Sequence, residues 1–242
     1  LEVWHPDVED FLDLRKNTGD DRRRCHDMNT ALWICDDFMT AVKEQNDWYL
    51  FNPSECPELH ETYGKEFTAI YNKYKEEADK GLLDYHRVVN AKDLWKKILT
   101  ALYETGHPWI TFKDPSNIRY SNKHAGVVHS SNLCTEILLH TKPSVYEEGV
   151  MTQRGETAVC NLASINLSNH LKKRTVDWKE LAQTVEVAVR GLDNVIDLNF
   201  YPTEEARDSN IKNRPVGLGI MGTHDMLHTL GISYDSQDAI KL

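Results

Sequence analysis

A chain of 242 residues has room for one large domain or two small ones, and 40% hydrophobic with 27% charged residues is the composition of an ordinary soluble globular protein. A net charge of -10 and a pI near 5.5 exclude a general affinity for DNA, for the RNA backbone or for an anionic membrane surface. They leave open a local basic pocket for a nucleotide phosphate.

Leu1–Trp4 alternates apolar and polar residues like the end of a strand. Pro6 suits a first helical turn, the acids Asp7, Glu9 and Asp10 suit its positive end, and Val8, Phe11 and Leu12 give it an apolar face before Gly19 stops it. The run Asp20 to Asp27 holds Arg22, Arg23 and Arg24, which either clamp an anion or make salt bridges within their own loop, the second being the simpler reading. His26 beside Asp27 reads only weakly as a metal or acid–base pair, because adjacent side chains rarely converge.

Ala31–Cys35 predicts a buried strand and Asp36-Asp37 a capped helix with Phe38, Met39 and Val42 inward. Trp48–Phe51 predicts a second strand, and Cys56-Pro57 a turn. Phe67, Ile70, Tyr71 and Tyr74 lie at helical spacing, which reads as core. Asn90–Asp93 opens a helix whose buried face is Leu94, Trp95, Ile98, Leu99 and Leu102, closed by Gly106. Pro108–Phe112 predicts a strand, and 113–126 a polar loop. A further polar loop is expected over 142–155, then a strand-like first half of 156–167. Asp177 and Glu180 form a capping box before a helix with the stripe Leu181, Val185, Ala188, Leu192 and Ile196. Gly217-x-Gly219-x-x-Gly222 has the letters of a dinucleotide fingerprint without its acidic partner on a following strand. Close backbone packing is therefore the better reading, and a nicotinamide-dependent oxidoreductase fails on context. Short apolar runs alternating with helices point to an α/β fold with parallel strands, read as a single domain over 1–242.

The five cysteines, Cys25, Cys35, Cys56, Cys134 and Cys160, are odd in number, widely spaced and free of any CxxC pair. That argues against a disulfide scaffold and a structural zinc, and for a reducing, cytoplasmic setting. No signal peptide and no apolar run near the roughly 18 residues of a membrane span is present. The first residue is Leu1 rather than Met, and a fragment of a longer protein is expected.

The stretch with the most chemistry is Ser130-Ser131-Asn132-Leu133-Cys134-Thr135-Glu136-Ile137. If it is extended, Asn132, Cys134 and Glu136 share one face, and Leu133, Thr135 and Ile137 the other. One face would then carry a carboxamide, a sulfur and a proton acceptor. On spacing alone, a buried structural cysteine in an ordinary strand is the favoured alternative.

Together, Ser131–Ile137 and Ala158-Val-Cys-Asn-Leu-Ala-Ser-Ile-Asn-Leu167 resemble the large, catalytic subunit of class I ribonucleotide reductase. So do Leu1–His5, Phe11–Gly19, Ser54–Pro57, Tyr201-Pro202 and Arg214–Gly219, so the likeness runs over essentially the whole chain. It implies the central part of a ten-stranded α/β barrel, with Cys134 at the tip of a finger loop. It implies reduction of ribonucleotides to 2′-deoxyribonucleotides for DNA synthesis. Cys134 would form a thiyl radical and take the 3′ hydrogen, Glu136 would take the 3′ hydroxyl proton, Asn132 would hold the substrate, and Cys160 would be one of two redox thiols. The other thiol, the N-terminal effector cone and the C-terminal part would lie outside this chain, as would the sites for nucleoside triphosphate effectors and ATP.

The resemblance also implies a ribonucleoside diphosphate substrate, a metal-containing small subunit that supplies the radical, the remaining parts of the large subunit, and thioredoxin or glutaredoxin as reductant. It implies no cofactor or metal in this chain, no DNA partner and no membrane. The isolated chain would be inactive. A non-catalytic scaffold, or an assembly piece of a split reductase, is the alternative; retention of Asn132, Cys134, Glu136 and Cys160 together speaks against it, since packing does not demand all four.

Overall fold

The computed structural model describes residues 1–242. The chain forms two compact units, Leu1–Thr141 and Lys142–Leu242, and each is described by itself.

The first unit runs α1 (Val8–Asp13), β1 (Ala31–Ile34), α2 (Asp36–Glu44), β2 (Asp47–Phe51), α3 (Glu58–Glu61), α4 (Gly64–Asp79), β3 (His86–Asn90), α5 (Ala91–Thr105), β4 (Trp109–Phe112) and α6 (Lys113–Arg119). The apolar run of β1 pairs in parallel with β4, from Ala31 opposite Trp109 to Ile34 opposite Phe112. The helices α2, α4 and α5 present Phe38, Phe67, Tyr71, Leu94 and Ile98 to a shared core. Trp48 of β2 stacks on Tyr71 at 4.4 Å and meets Phe38 edge-on at 5.2 Å. The Tyr71 hydroxyl donates to the Tyr49 carbonyl at 3.0 Å and accepts from the Tyr49 N–H at 2.7 Å, so a buried ring also pays attention to backbone polarity on β2. Asn90 caps α5 by accepting from the N–H groups of Lys92 and Asp93, and Gly106 ends it at φ 72°, where a side chain would be strained.

Two elements of this unit depart from expectation. Strand β3, hidden in the sequence by its polar residues, pairs antiparallel with β2. The polar stretch expected as a loop over 113–126 begins with α6, because its polar side chains are used inside the protein. Lys113 is fully buried and donates to Glu2 Oε1 at 2.8 Å and to the Leu59 carbonyl at 2.8 Å. Asp114, 2% exposed, accepts from the N–H groups of Asp36 and Gly64, and so serves the starts of both α2 and α4. No side chain of Asp36 or Asp37 caps α2. Leu99, expected in the core, is exposed.

The second unit runs β5 (Val145–Glu147), β6 (Val150–Gln153), β7 (Asn161–Asn166), β8 (Leu171–Lys172), β9 (Thr175–Val176), α7 (Trp178–Leu198), α8 (Glu204–Asn213), β10 (Val216–Met221), α9 (Thr223–Leu230) and α10 (Gln237–Lys241). Strand β10 pairs in parallel with β7, from Val216 opposite Asn161 to Met221 opposite Asn166. A parallel pair needs a long crossover, here α7 and α8, and α7 packs back on both strands. Asp177 caps α7 by accepting from Glu180 N–H, while the Glu180 carboxylate turns to Lys172 instead of closing a reciprocal box. Of the expected stripe on α7 only Leu192 and Ile196 are buried, and Val185 is exposed. The region expected to be a loop over 142–155 holds the exposed antiparallel hairpin β5–β6. The strand expected in the first half of 156–167 lies instead in its second half, Asn161–Asn166.

The expectation for the glycine-spaced segment holds as packing. A Cβ on Gly217 would lie 2.5 Å from Leu162 Cδ2, and one on Gly222, at φ 72°, would lie 2.5 Å from Asn166 Oδ1. Each sheet in the chain has two strands, and a closed barrel is not visible within it.

Candidate active site

The segment around Cys134 is a turn rather than a strand. Thr135 N–H donates to the Asn132 carbonyl at 3.2 Å, and Asn132 N–H donates to the Ile137 carbonyl at 3.3 Å. Ile137 N–H in turn donates to Asn132 Oδ1 at 3.0 Å. Thr135 adopts φ 67°, a left-handed conformation that breaks the two-residue alternation on which a shared face depended. The one-face expectation for Asn132, Cys134 and Glu136 is therefore replaced by a tighter arrangement, in which all three belong to one closed turn. Cys134 and Glu136 are exposed, and Leu133 is 56% exposed. The thiol is not the buried structural cysteine that spacing alone favoured.

What holds this turn out from the body is a clamp at its base. Asn117 of α6, 2% exposed, donates from Nδ2 to the Val128 carbonyl at 3.1 Å and accepts from Val128 N–H at 2.8 Å. Its carboxamide thus pairs with backbone as a neighbouring strand would. On the far side, His140 Nδ1–H donates to the Val127 carbonyl at 2.6 Å, and its N–H donates to the Tyr120 hydroxyl at 3.3 Å. Gly126, at φ 136°, lies where any side chain would run into the His140 ring. Sequence reading missed Asn117, Gly126 and His140. The only signal was an asparagine one helical turn after Lys113, in a stretch that looked like polar loop.

Cys160, half-buried, immediately precedes β7 in the second unit. The ideal Cβ position of Gly217 is 3.6 Å from Cys160 Sγ, so the missing side chain on β10 leaves space beside the sulfur. The next residue, Asn161, is 8% exposed, and its Nδ2 is buried without a hydrogen-bond partner.

The other thiols separate clearly. Cys35 and Cys56 are buried; burial pushes the Cys35 thiol up, and burial followed by Glu55 pushes Cys56 up to about 12, which keeps both protonated and inert. Cys25 is exposed in the arginine-rich loop. There Arg22 pairs with Asp20 at 3.0 Å, one of the salt bridges expected within the loop, while Arg24 donates instead to the Thr18 carbonyl. His26 and Asp27 are both exposed.

The family model described as "Ribonucleotide reductase, barrel domain" matches residues 1–242. The chain belongs to the ribonucleotide reductase barrel-domain family. It is 53% identical over 241 residues to the ribonucleoside-diphosphate reductase subunit alpha of Chlamydia muridarum, covering 100% of this chain and 22% of that protein. It is 41% identical over 286 aligned positions to the subunit alpha of Helicobacter pylori strain J99, covering 100% of this chain and 35% of that protein. To the ribonucleoside-diphosphate reductase large subunit of Caenorhabditis elegans it is 40% identical over 240 residues, 99% of this chain and 28% of the other. This reductase barrel-domain chain thus spans between 22% and 35% of the length of these curated relatives. No helix in it is long and apolar enough to cross a membrane.

Proposed function

We propose that residues 1–242 form the central part of one barrel domain in the catalytic subunit of a ribonucleoside-diphosphate reductase, with Cys134 as the radical thiol. The observation that carries this reading is an exposed cysteine in a turn closed by Asn132 and clamped at its base, within a chain that matches the reductase barrel domain over its whole length. A thiyl radical at Cys134 Sγ takes the 3′ hydrogen of the ribose. Glu136, exposed beside it, accepts the 3′ hydroxyl proton. Asn132 keeps its Nδ2 hydrogens for the substrate, because only its Oδ1 is engaged by the turn. The 2′ hydroxyl leaves as water while Cys160 and a second thiol are oxidised to a disulfide, and Cys134 returns the hydrogen to C3′.

The balance is one ribonucleotide and two thiols giving one deoxyribonucleotide, one water and one disulfide. The second thiol must approach Cys160 to within about 7 Å between Cα atoms, and we assign it to the remainder of the subunit. So too the effector and ATP sites; the radical comes from a separate metal-containing small subunit, and a dithiol protein of the thioredoxin or glutaredoxin class restores the thiols in a cytoplasmic setting. The clamped turn matters because a radical on an exposed sulfur has to be handed to the substrate and covered from solvent once substrate is bound.

The test is deoxynucleotide formation from a ribonucleoside diphosphate by the protein in its full natural length, with small subunit and a dithiol present. Cys134→Ser is expected to reduce turnover to background with the fold intact by circular dichroism. Cys160→Ser is expected to abolish deoxynucleotide formation, because one of the two thiols consumed in each reduction is lost. Deoxynucleotide formation by Cys134→Ser would sink the proposal.

A further inference from the structure

We propose that His60, Glu61 and His129 form a binding site for a divalent transition-metal ion of the zinc type, separate from the thiol chemistry. One donor atom from each of the three side chains lies within 4.8 Å of the others. His129 Nε2 is 3.0 Å from Glu61 Oε2. Two ligands that share a tetrahedral zinc stand about 3.4 Å apart, given metal–ligand bonds near 2.1 Å. This pair is therefore already at the spacing of ligands, with a proton where the ion would go. Neutral imidazole carries a single ring proton, so an ion at Nε2 moves that proton to Nδ1 and needs none released.

The second histidine is already oriented. His60 Nδ1–H donates to Glu2 Oε1 at 3.3 Å, which leaves Nε2 with its lone pair outward. Glu2 is 7% exposed and is fixed from two further directions, by Lys113 Nζ at 2.8 Å and by Trp4 Nε1–H at 3.1 Å. A buried carboxylate behind a histidine is the arrangement that sets the tautomer and raises the basicity of metal-ligating imidazoles. The Lys113 charge balances that of Glu2, so the net charge facing the ion is the single carboxylate of Glu61. His60 and His129 stack nearly parallel with ring centroids 4.2 Å apart, so the rings must tilt for their in-plane lone pairs to converge on one ion.

Two imidazoles and one carboxylate select zinc-like ions over magnesium or calcium, which prefer all-oxygen sites. A cavity of about 540 Å³, bordered by Trp4, Pro53, Pro57 and Ser130 as well as the three ligands, gives a fourth position for water or a ligand oxygen. The ion would join α3 to the segment that leads into the Cys134 turn.

The experiment is competition for zinc chloride between a chromophoric chelator and the metal-stripped protein in its full natural length. Wild type is expected to hold one equivalent that Glu61→Gln and His129→Gln each weaken about tenfold or more, with magnesium unable to displace it. Glu61 is a surface side chain, so its variant keeps the test valid if His129→Gln disturbs folding, and circular dichroism in chelator reports that. Cobalt(II) offers a second readout: tetrahedral-type visible absorption in wild type, lost in both variants. Zinc bound equally by wild type and Glu61→Gln, or no zinc held by wild type, overturns the site.

Discussion

The two units of this chain solve the burial problem differently. The first encloses a continuous core that includes Val3, Trp48, Phe67 and Ile98. The second buries only Ile165, Leu167 and Met226 as a cluster, and leaves Leu162, Val187, Leu198 and Ile220 in solvent. A parallel strand pair with one covering helix, α7, has two faces and two open edges, and parallel sheets ordinarily have both faces covered. The first unit thus encloses its own core, and the second leaves most of its apolar side chains in solvent. The largest effect should come from hydrogen exchange on this 242-residue chain. Amides of β1 and β2 should exchange orders of magnitude more slowly than those of β7 and β10. Equal protection in the two units would break the comparison.

Core substitutions should sharpen it. Trp48→Ala removes a ring packed on Phe38 and Tyr71 and is expected to cost about 3–5 kcal/mol. Leu167→Ala, in the small cluster, should cost about 2 kcal/mol or less, since its surroundings are already open enough to collapse. Urea denaturation followed by tryptophan fluorescence and circular dichroism measures both; a larger loss for Leu167→Ala would mean that the second core is tighter than its burial implies.

The buried ion pair gives the next contrast. Lys113→Met leaves the Glu2 carboxylate buried with the Trp4 indole and His60 as its remaining partners, and is expected to cost about 3 kcal/mol, toward the low end for breaking a buried pair. The double variant Glu2→Gln, Lys113→Met should recover part of that loss, which a double-mutant cycle on the denaturation midpoints would read. Additive losses would mean that the two charges act independently.

Lys113 also shows where sequence reading stopped. Periodicity found α4, α5 and α7 and the strands β1, β2 and β4, because apolar spacing reports which face is buried. It could not see that Lys113, Asp114 and Asn117 go inward, since each is buried only by virtue of partners distant in the chain: Glu2, the N-termini of α2 and α4, and Val128. Nor could it see the Cys134 turn, because alternation of polar and apolar letters looks the same whether Thr135 is extended or left-handed. Residue identity alone singled out Asn132, Cys134, Glu136 and Cys160, the residues to which the proposed chemistry is given. The shape that presents the first three was not legible there, and it depends on Asn117 and Gly126. The open face of α7 escaped for a related reason: Val185 and its neighbours carry a helical stripe whether or not this chain supplies the cover.

The smallest effect should be in pH. In the first unit, burial holds His5 and His129 below the ordinary histidine value, with His60 adding to the effect on His129. In the window between the lowered folded values and about 6.5, the unfolded chain binds protons that the folded chain refuses. Stability is therefore complete above that window and falls as pH drops through it. Glu9 is held down chiefly by its hydrogen bond to Lys97, with Arg87 contributing, so its stabilisation persists above 4.5 and is lost as pH falls below. Urea midpoints measured from pH 8 to 4 should thus decline in two stages. His129→Gln should remove part of the upper decline and leave the lower one, and Glu9→Gln should do the reverse. An upper decline unchanged in His129→Gln would mean that His129 titrates alike in both states, and that its contact with Glu61 fully offsets burial and His60.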